Sequence, residues 1–116
     1  MLILVAEDDA DIRALVSDVL ADAGHIVAAA PNGLAALDLA AAQPPDLILL
    51  DMQLPVMDGW EFAKRYREAP PPHAPIVVLT AAPDARRRAA EVGAAGFVGK
   101  PFDPQQLVAL VERYAA

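Results

Sequence analysis

The sequence predicts a doubly wound α/β fold, in which a parallel sheet of five strands carries five helices on its two faces. The chain has 116 residues, of which 56% are hydrophobic, and this is enough for one domain with a buried core. Short apolar runs alternate along the chain with segments whose apolar residues recur at helical spacing. We therefore predict five strand–helix units within a single domain over residues 1–116.

Five apolar runs are the predicted strands, and they fall into two groups. Three are continuous and rich in Ile, Leu and Val, as is typical of parallel strands buried on both faces. These are Leu2 to Ala6, Asp46 to Asp51 and Pro75 to Thr80. The other two, His25 to Ala30 and Gly96 to Lys100, are weaker and are expected near the sheet edges.

The first helix is predicted from Ala10 to Ala23, directly after a cluster of acids. Its apolar positions fall on one face, and Gly24 ends it. Asp9 is well placed to cap its N-terminus, and Asp11 in the first turn favours the positive end of the helix dipole. The apolar positions are Ile12, Leu15, Val16, Val19 and Leu20.

Capping residues and apolar stripes predict the four remaining helices. Asn32 can cap the second helix, and Gly59 precedes the third. Pro83-Asp84 opens a short fourth helix rich in Ala and Arg, and Asp103-Pro104 begins the fifth. The apolar residues that mark these helices are Leu34 and Leu37 in the second, Phe62, Ala63 and Tyr66 in the third, and Leu107, Leu110, Val111 and Tyr114 in the fifth.

The composition disfavours several classes of function. A formal net charge of −7 argues against direct nucleic-acid binding. Cysteine is absent, which excludes a disulfide framework and a thiolate site and fits a cytoplasmic protein. The N-terminal apolar run MLILV follows no basic segment and is too short for a signal peptide or a membrane span.

Charged and polar residues stand at the carboxyl ends of four of the predicted strands. They are Glu7 and Asp8 at the end of the first, Asp51 at the end of the third, Thr80 at the end of the fourth and Lys100 at the end of the fifth. Because ligands of open α/β sheets bind beyond the carboxyl ends of the strands, we expect these side chains in one crevice. Three carboxylates outnumber one ammonium, and Mg²⁺ suits such a site because it takes a few carboxylate oxygens and keeps other ligands. Glu7 and Asp8 are the first-strand candidates for metal binding.

Asp51 is the candidate nucleophile of this site. Carboxylates attack phosphorus to form aspartyl phosphates, and a cation, an ammonium and a hydroxyl would then neutralise three phosphoryl oxygens. Each residue taken alone also has an ordinary explanation. The acids of AEDDAD could be solvated at a helix start, Lys100 could be a surface lysine, and Thr80 could be a strand-end hydroxyl.

Four motifs, taken in order, resemble one known family. They are EDD after the first strand, DMQLPVMDG from Asp51 to Gly59, LTA from Leu79 to Ala81, and GKPF from Gly99 to Phe102. Together they closely resemble the receiver domain of two-component response regulators over nearly the whole chain. The resemblance implies the flavodoxin-like strand order 2-1-3-4-5. It also implies a phosphoaccepting signalling switch, which is not an enzyme beyond its own phosphorylation and dephosphorylation.

The resemblance implies a metal and phosphoacceptor site made from four residues. Asp51 resembles the phosphoacceptor, which takes the phosphoryl group from a phosphohistidine of a sensor kinase or phosphotransfer protein. Asp8 would bind Mg²⁺ directly and Glu7 through water. The backbone carbonyl of Gln53 would complete the protein ligands.

Four further residues are implied to act on the phosphoryl group and to transmit its presence. Lys100 would pair with the acidic site, and Thr80 would hydrogen-bond a phosphoryl oxygen beside the amide of Ala81. Phe97 occupies the position of the aromatic switch residue. Movement of Thr80 would let Phe97 turn in from solvent and reshape the face made by helix four, strand five and helix five.

The resemblance also implies partners. They are a histidine kinase or phosphotransfer protein, and a downstream effector protein or a missing effector domain. The face of helix four, strand five and helix five could form a homodimer, and no membrane partner is expected. The chain is expected to be a stand-alone receiver or the N-terminal piece of a longer protein, and Met1 followed at once by a strand favours a natural N-terminus.

The sequence departs from the family pattern in two respects, and three rival interpretations of its function remain. First, the segment from Ala81 to Ala94 is slightly shorter than is usual in the family, so helix four could be short or displaced. Second, this helix carries Arg86, Arg87 and Arg88, which could be a solvated face or a patch for an acidic partner. The first rival is a phosphatase of the haloacid dehalogenase type, which needs an acid at the position of Gln53. The second is a flavodoxin, which is disfavoured because the acids of EDD would repel the phosphate of a bound flavin. The third rival is a receiver-like interaction module that works without phosphorylation.

Overall fold

Five strands and five helices alternate along the chain in the computed structural model, which describes residues 1–114. Their bounds are β1 Leu2–Ala6, α1 Ala10–Asp22, β2 Ile26–Ala30, α2 Gly33–Ala42, β3 Leu47–Leu50, α3 Gly59–Glu68, β4 Ile76–Ala81, α4 Ala85–Val92, β5 Gly96–Lys100 and α5 Pro104–Glu112. A single 3₁₀ turn, Ala82–Asp84, leads into α4. Within the described residues, no helix is long and apolar enough to cross a membrane.

The strands form one parallel sheet in the order β2-β1-β3-β4-β5. The predicted order is therefore confirmed, and both weaker strands lie at the edges as expected. From β1 the chain forms β2 on one side, and it then returns to form β3 on the other side. The direction of winding reverses between β1 and β3, and such a reversal opens a crevice at the carboxyl ends of the strands.

Alternate residues of each central strand face two different cores. In β3, Ile48 and Leu50 pack in the core shared with α2, α3 and α4. Leu47 and Leu49 pack in the core shared with α1 and α5. All four side chains are fully buried, and each burial contributes about 1.5–3 kcal/mol. Burial on both faces is the reason that the central strands are continuous apolar runs.

Three predicted helix caps are confirmed. Asp9, Asn32 and Asp103 each accept a hydrogen bond from a backbone amide in the first turn of α1, α2 and α5, respectively. Asp84 makes no such bond to α4, because the 3₁₀ turn continues into that helix. The predicted short helix is present, since α4 has eight residues.

The start of α3 differs slightly from the prediction. Gly59 is the first residue of α3, and Asp58 is its cap, with a side-chain oxygen 2.9 Å from the Glu61 amide nitrogen. Gly59 has to be a glycine for a packing reason. A Cβ there would lie 2.7 Å from the Cα of Met52.

Two helices bury a narrower face than the apolar pattern suggests. The expectation that Leu15 shares the inner face of α1 is wrong, because 48% of it is exposed, whereas Val16 and Leu20 are buried. The apolar arc of α1 is wider than its contact with the sheet, so its flank meets solvent. In α2, Leu34 is also exposed, and the helix packs through Gly33, Ala36 and Ala40.

Candidate functional site

Sheet register brings two carboxylates together at the reversal between β1 and β3. Ala6 of β1 pairs with Leu50 of β3, so the residues that follow, Glu7 and Asp51, end neighbouring strands side by side. The Asp51 amide donates to the Ala6 carbonyl at 2.9 Å, which continues the ladder by one bond. Glu7 is fully buried and Asp51 is 4% exposed.

Lys100 supplies the positive charge that faces these two acids. Its ammonium donates to Oδ2 of Asp51 at 2.8 Å and also to Oε1 of Glu7. Lys100 ends β5, which is separated from β3 by β4, so the two backbones lie about 10 Å apart and the side chains of Lys100 and Asp51 bridge the gap together. A long, flexible stem with a point charge is needed to cover this distance. The Lys100-Pro101 peptide bond that follows is cis.

The proton affinities of the site reflect a shortage of positive charge. Burial and the neighbouring Asp51 carboxyl raise the pKa of Glu7 from 4.5 to about 7, and Lys100 opposes this only in part. Burial by itself would lower the pKa of Lys100. Hydrogen bonds to Asp51 and Glu7 outweigh burial and raise the pKa of Lys100 above 10.5.

Asp8 completes a cluster of three carboxylates. Ligand oxygens of Glu7, Asp8 and Asp51 lie within 4.8 Å of one another, and Asp8 is exposed toward solvent. With all three acids ionised, one ammonium would leave two negative charges without a partner, and the raised pKa of Glu7 reflects its burial and this excess. Carboxylate oxygens with room for water and phosphate are the surroundings that Mg²⁺ prefers, so the residues present fit that ion.

Asp9 is not part of this cluster, because its side chain has another role. Its Oδ1 accepts hydrogen bonds from the amides of Asp11 at 2.9 Å and Ile12 at 3.1 Å. The division of AEDDAD into two strand-end acids and two helix-start acids therefore matches the structure. Asp9 also donates its own amide to Oε2 of Glu7 at 3.3 Å.

Arg13 supports the acidic loop, and the sequence reasoning did not include it. Its Nη1 donates to the backbone carbonyls of Glu7 at 2.9 Å and of Asp8 at 3.3 Å. The guanidinium thus fixes the loop backbone and adds positive charge near the acids. A basic residue in the first turn of a helix that follows an acidic loop was the available signal, because side chains in a helix lean toward its N-terminus.

The second oxygen of Asp51 is held by the following loop. The Gln53 amide donates to Oδ1 of Asp51 at 3.0 Å, while the Met52 carbonyl accepts from the Gly59 amide at 3.0 Å. Further along, the Met57 amide donates to the Pro55 carbonyl at 2.7 Å in a tight turn. These bonds hold the Asp51 carboxylate in one orientation.

Thr80 lies near the carboxyl end of β4, and Phe97 lies near the start of β5. Thr80 is 4% exposed and pairs in register with Gly99, and Ala81, which follows it, is exposed. Phe97 is 41% exposed, so its ring points outward. Within residues 1–114, the hydrogen bonds of the carboxylates run to Lys100 and to backbone amides, and none involves Thr80. The structure therefore joins Glu7, Asp51 and Lys100 directly, whereas in the described part of the chain Thr80 and Phe97 make no side-chain hydrogen bond to them.

Comparisons with known proteins agree with this architecture. Residues 3–112 match the family model described as the response regulator receiver domain. Sporulation initiation phosphotransferase F of Bacillus subtilis is 36% identical over 114 residues, which cover 97% of this chain and 91% of that protein. An uncharacterized 14.6 kDa protein of Leptolyngbya boryana is 40% identical, with 98% of this chain and 89% of that protein covered.

A solved structure shows the same likeness in three dimensions. The chemotaxis protein CheY4 of Vibrio cholerae superposes with a TM-score of 0.85 at 35% identity, covering 97% of each chain. Other relatives are longer proteins, and the matched region covers 24% of one and 11% of another.

Proposed function

Because the chain belongs to the response regulator receiver domain family, we propose that it is a signalling switch that accepts a phosphoryl group on Asp51. The observation that carries this proposal is the arrangement of that one side chain. Asp51 is almost fully buried, yet both of its oxygens are held, one by Lys100 and one by the Gln53 amide. A carboxylate oriented in this way beside Glu7 and Asp8 is suited to attack phosphorus.

The transfer itself exchanges one bond for another. A carboxylate oxygen of Asp51 forms a bond to the phosphorus of a phosphohistidine, the nitrogen–phosphorus bond breaks, and the imidazole leaves with its electron pair and takes a proton from solvent. Lys100 neutralises charge on the phosphoryl oxygens, and the Thr80 hydroxyl and the Ala81 amide donate to another oxygen. Attack of water on phosphorus later breaks the phosphorus–oxygen bond to Asp51, releases inorganic phosphate and returns Asp51 to a free carboxylate.

Magnesium is the proposed cofactor of this transfer. Asp8, Asp51 and the Gln53 carbonyl would hold the ion directly, and Glu7 would hold it through water. When bound, Mg²⁺ supplies the positive charge that phosphoryl oxygens require. The raised pKa of Glu7 and the unpaired negative charge support an ion at this place.

The output of the switch follows from the neighbours of the site. Thr80 moves toward the phosphoryl group, and the space that it leaves lets Phe97 turn inward. The face made by α4, β5 and α5 then changes shape, and an effector protein, an effector domain or a second copy binds it. We place this switch in the cytoplasm, with a sensor histidine kinase or a histidine phosphotransfer protein as the phosphoryl donor.

Intact mass after incubation with acetyl phosphate and Mg²⁺ tests the proposal. We expect one phosphoryl increment on the wild type, and none on Asp51→Asn or in the presence of EDTA. Asp38→Asn is the matched control, because it makes the same change at an exposed position of α2 and should still be phosphorylated. Absence of the increment from folded, Mg²⁺-saturated wild type would overturn the proposal in favour of an interaction module that works without phosphorylation.

A further inference from the structure

The three consecutive arginines of α4 make three different contacts. Arg87 forms an ion pair with Asp84 at 2.8 Å, one turn back along the chain. Arg86 and Arg88 instead lie over aromatic rings on opposite sides of α4. The Cζ of Arg86 is 5.6 Å from the ring centre of Phe97, and that of Arg88 is 4.9 Å from that of Trp60. A uniform basic patch for an acidic partner is therefore a poor description of this segment.

Arg86 contacts the aromatic residue whose orientation the switch depends on. A guanidinium within about 6 Å of a ring centre is attracted to the face of the ring. In the described residues, the ion pairs of α4 belong to Arg87 and Arg88, so the charge of Arg86 is directed to Phe97 rather than to an acid. The contact is possible only while the ring of Phe97 points outward, since an inward turn carries it away from the helix surface.

Arg88 fixes the helix that carries Arg86. Its guanidinium lies over Trp60 at the start of α3 and pairs with Glu91 at 3.3 Å. The same Glu91 oxygen accepts a hydrogen bond from Nε1 of Trp60 at 3.3 Å. Arg67 of α3 donates to the carbonyls of Val92 and Gly93 at the C-terminal end of α4. A helix of only eight residues is thus tied to α3 through its C-terminal half, while Arg86 in its first turn lies over Phe97 of β5.

We propose that Arg86 is a positioning residue of the switch, because it stabilises the outward orientation of Phe97. This inference rests on the proposed function, in which phosphorylation favours the inward orientation. Any contact made only in the outward state shifts the two-state equilibrium toward the outward orientation, which is the unphosphorylated conformation. By thermodynamic linkage, removal of that contact tightens binding of a phosphoryl group or its mimic, by at most the factor that the contact adds to the outward state.

Beryllofluoride is the probe, because it adds to a carboxylate oxygen as a phosphoryl group does. The affinity of the protein for beryllofluoride in the presence of Mg²⁺ is measured from the ¹⁹F resonances of the free and the protein-bound complex. We expect Arg86→Gln to bind about two- to five-fold more tightly than wild type, as the strength of an exposed cation–ring contact predicts. Arg87→Gln removes the same charge from the same helix without an aromatic contact, and its affinity should equal that of wild type.

A double-mutant cycle separates the ring contact from a general effect of charge. In a Phe97→Leu background the Arg86→Gln change should no longer alter the affinity, and unfolding curves establish that every variant is folded. Equal affinities of Arg86→Gln and Arg87→Gln, or a full Arg86→Gln effect in the Phe97→Leu background, would overturn the inference. Failure of wild type to bind beryllofluoride would overturn the proposed function and this inference with it, so the two failures are distinguishable.

Discussion

Glu7→Gln is expected to stabilise the protein at neutral pH when divalent cations are removed, although it replaces one partner of a buried ion pair. Glu7 is fully buried, and two carboxylates there share the single ammonium of Lys100. The pKa of Glu7 is raised from 4.5 to about 7 in the folded state. Glutamine has nearly the same shape as the protonated acid and carries no charge, so it avoids the cost of ionising Glu7 inside the site.

The size and the pH range of the effect follow from the two pKa values. Below pH 4.5 Glu7 is protonated in both states, and the raised pKa costs no stability. Between pH 4.5 and 7 the unfolded chain loses this proton and the folded chain keeps it, so the free energy of unfolding of wild type falls as pH rises. Each tenfold change in acidity is worth 1.36 kcal/mol. The advantage of Glu7→Gln therefore grows by about 3 kcal/mol from pH 4.5 to above pH 7.

Urea unfolding in EDTA at a series of pH values measures this difference. Glu68→Gln is the matched control, because it makes the same change on the exposed end of α3 and should show no comparable pH-dependent gain. Saturating Mg²⁺ should shrink or reverse the advantage, since the cation favours the ionised form of Glu7. A Glu7→Gln protein that is less stable than wild type at pH 8 in EDTA would refute the idea that the site lacks positive charge.

Two further variants test the support around Asp51. Lys100→Gln leaves two buried carboxylates without a cation, so the free energy of unfolding in EDTA should be about 3 kcal/mol lower than for wild type. Lys64→Gln, at an exposed position of α3, is the control. An unchanged stability of Lys100→Gln would contradict the buried pairing. Gly59→Ala places a Cβ 2.7 Å from the Cα of Met52. We expect a loss of about 1–3 kcal/mol and slower phosphorylation by acetyl phosphate, and a wild-type rate would show that the loop does not orient Asp51.

Much of the fold was accessible from local sequence patterns. Continuous apolar runs predicted the central strands because a strand buried on both faces excludes polar residues, and weaker runs predicted the edges. Side-chain oxygens before apolar stripes predicted the caps of α1, α2 and α5, because a cap bond joins residues two or three positions apart. The strand order was implied by the resemblance to a family, and the structure confirmed it.

By itself, the sequence determined that acids, a hydroxyl and a lysine stand at the carboxyl ends of strands in a parallel sheet, because those facts depend on positions along the chain. Tertiary structure alone decided that Glu7 and Asp51 lie side by side, that Lys100 reaches both across β4, and that Arg13 holds the loop after β1. It also decided that Arg86 lies over Phe97 while Arg87 does not. Register and helix orientation set these contacts, and they depend on packing between residues that are distant in the chain.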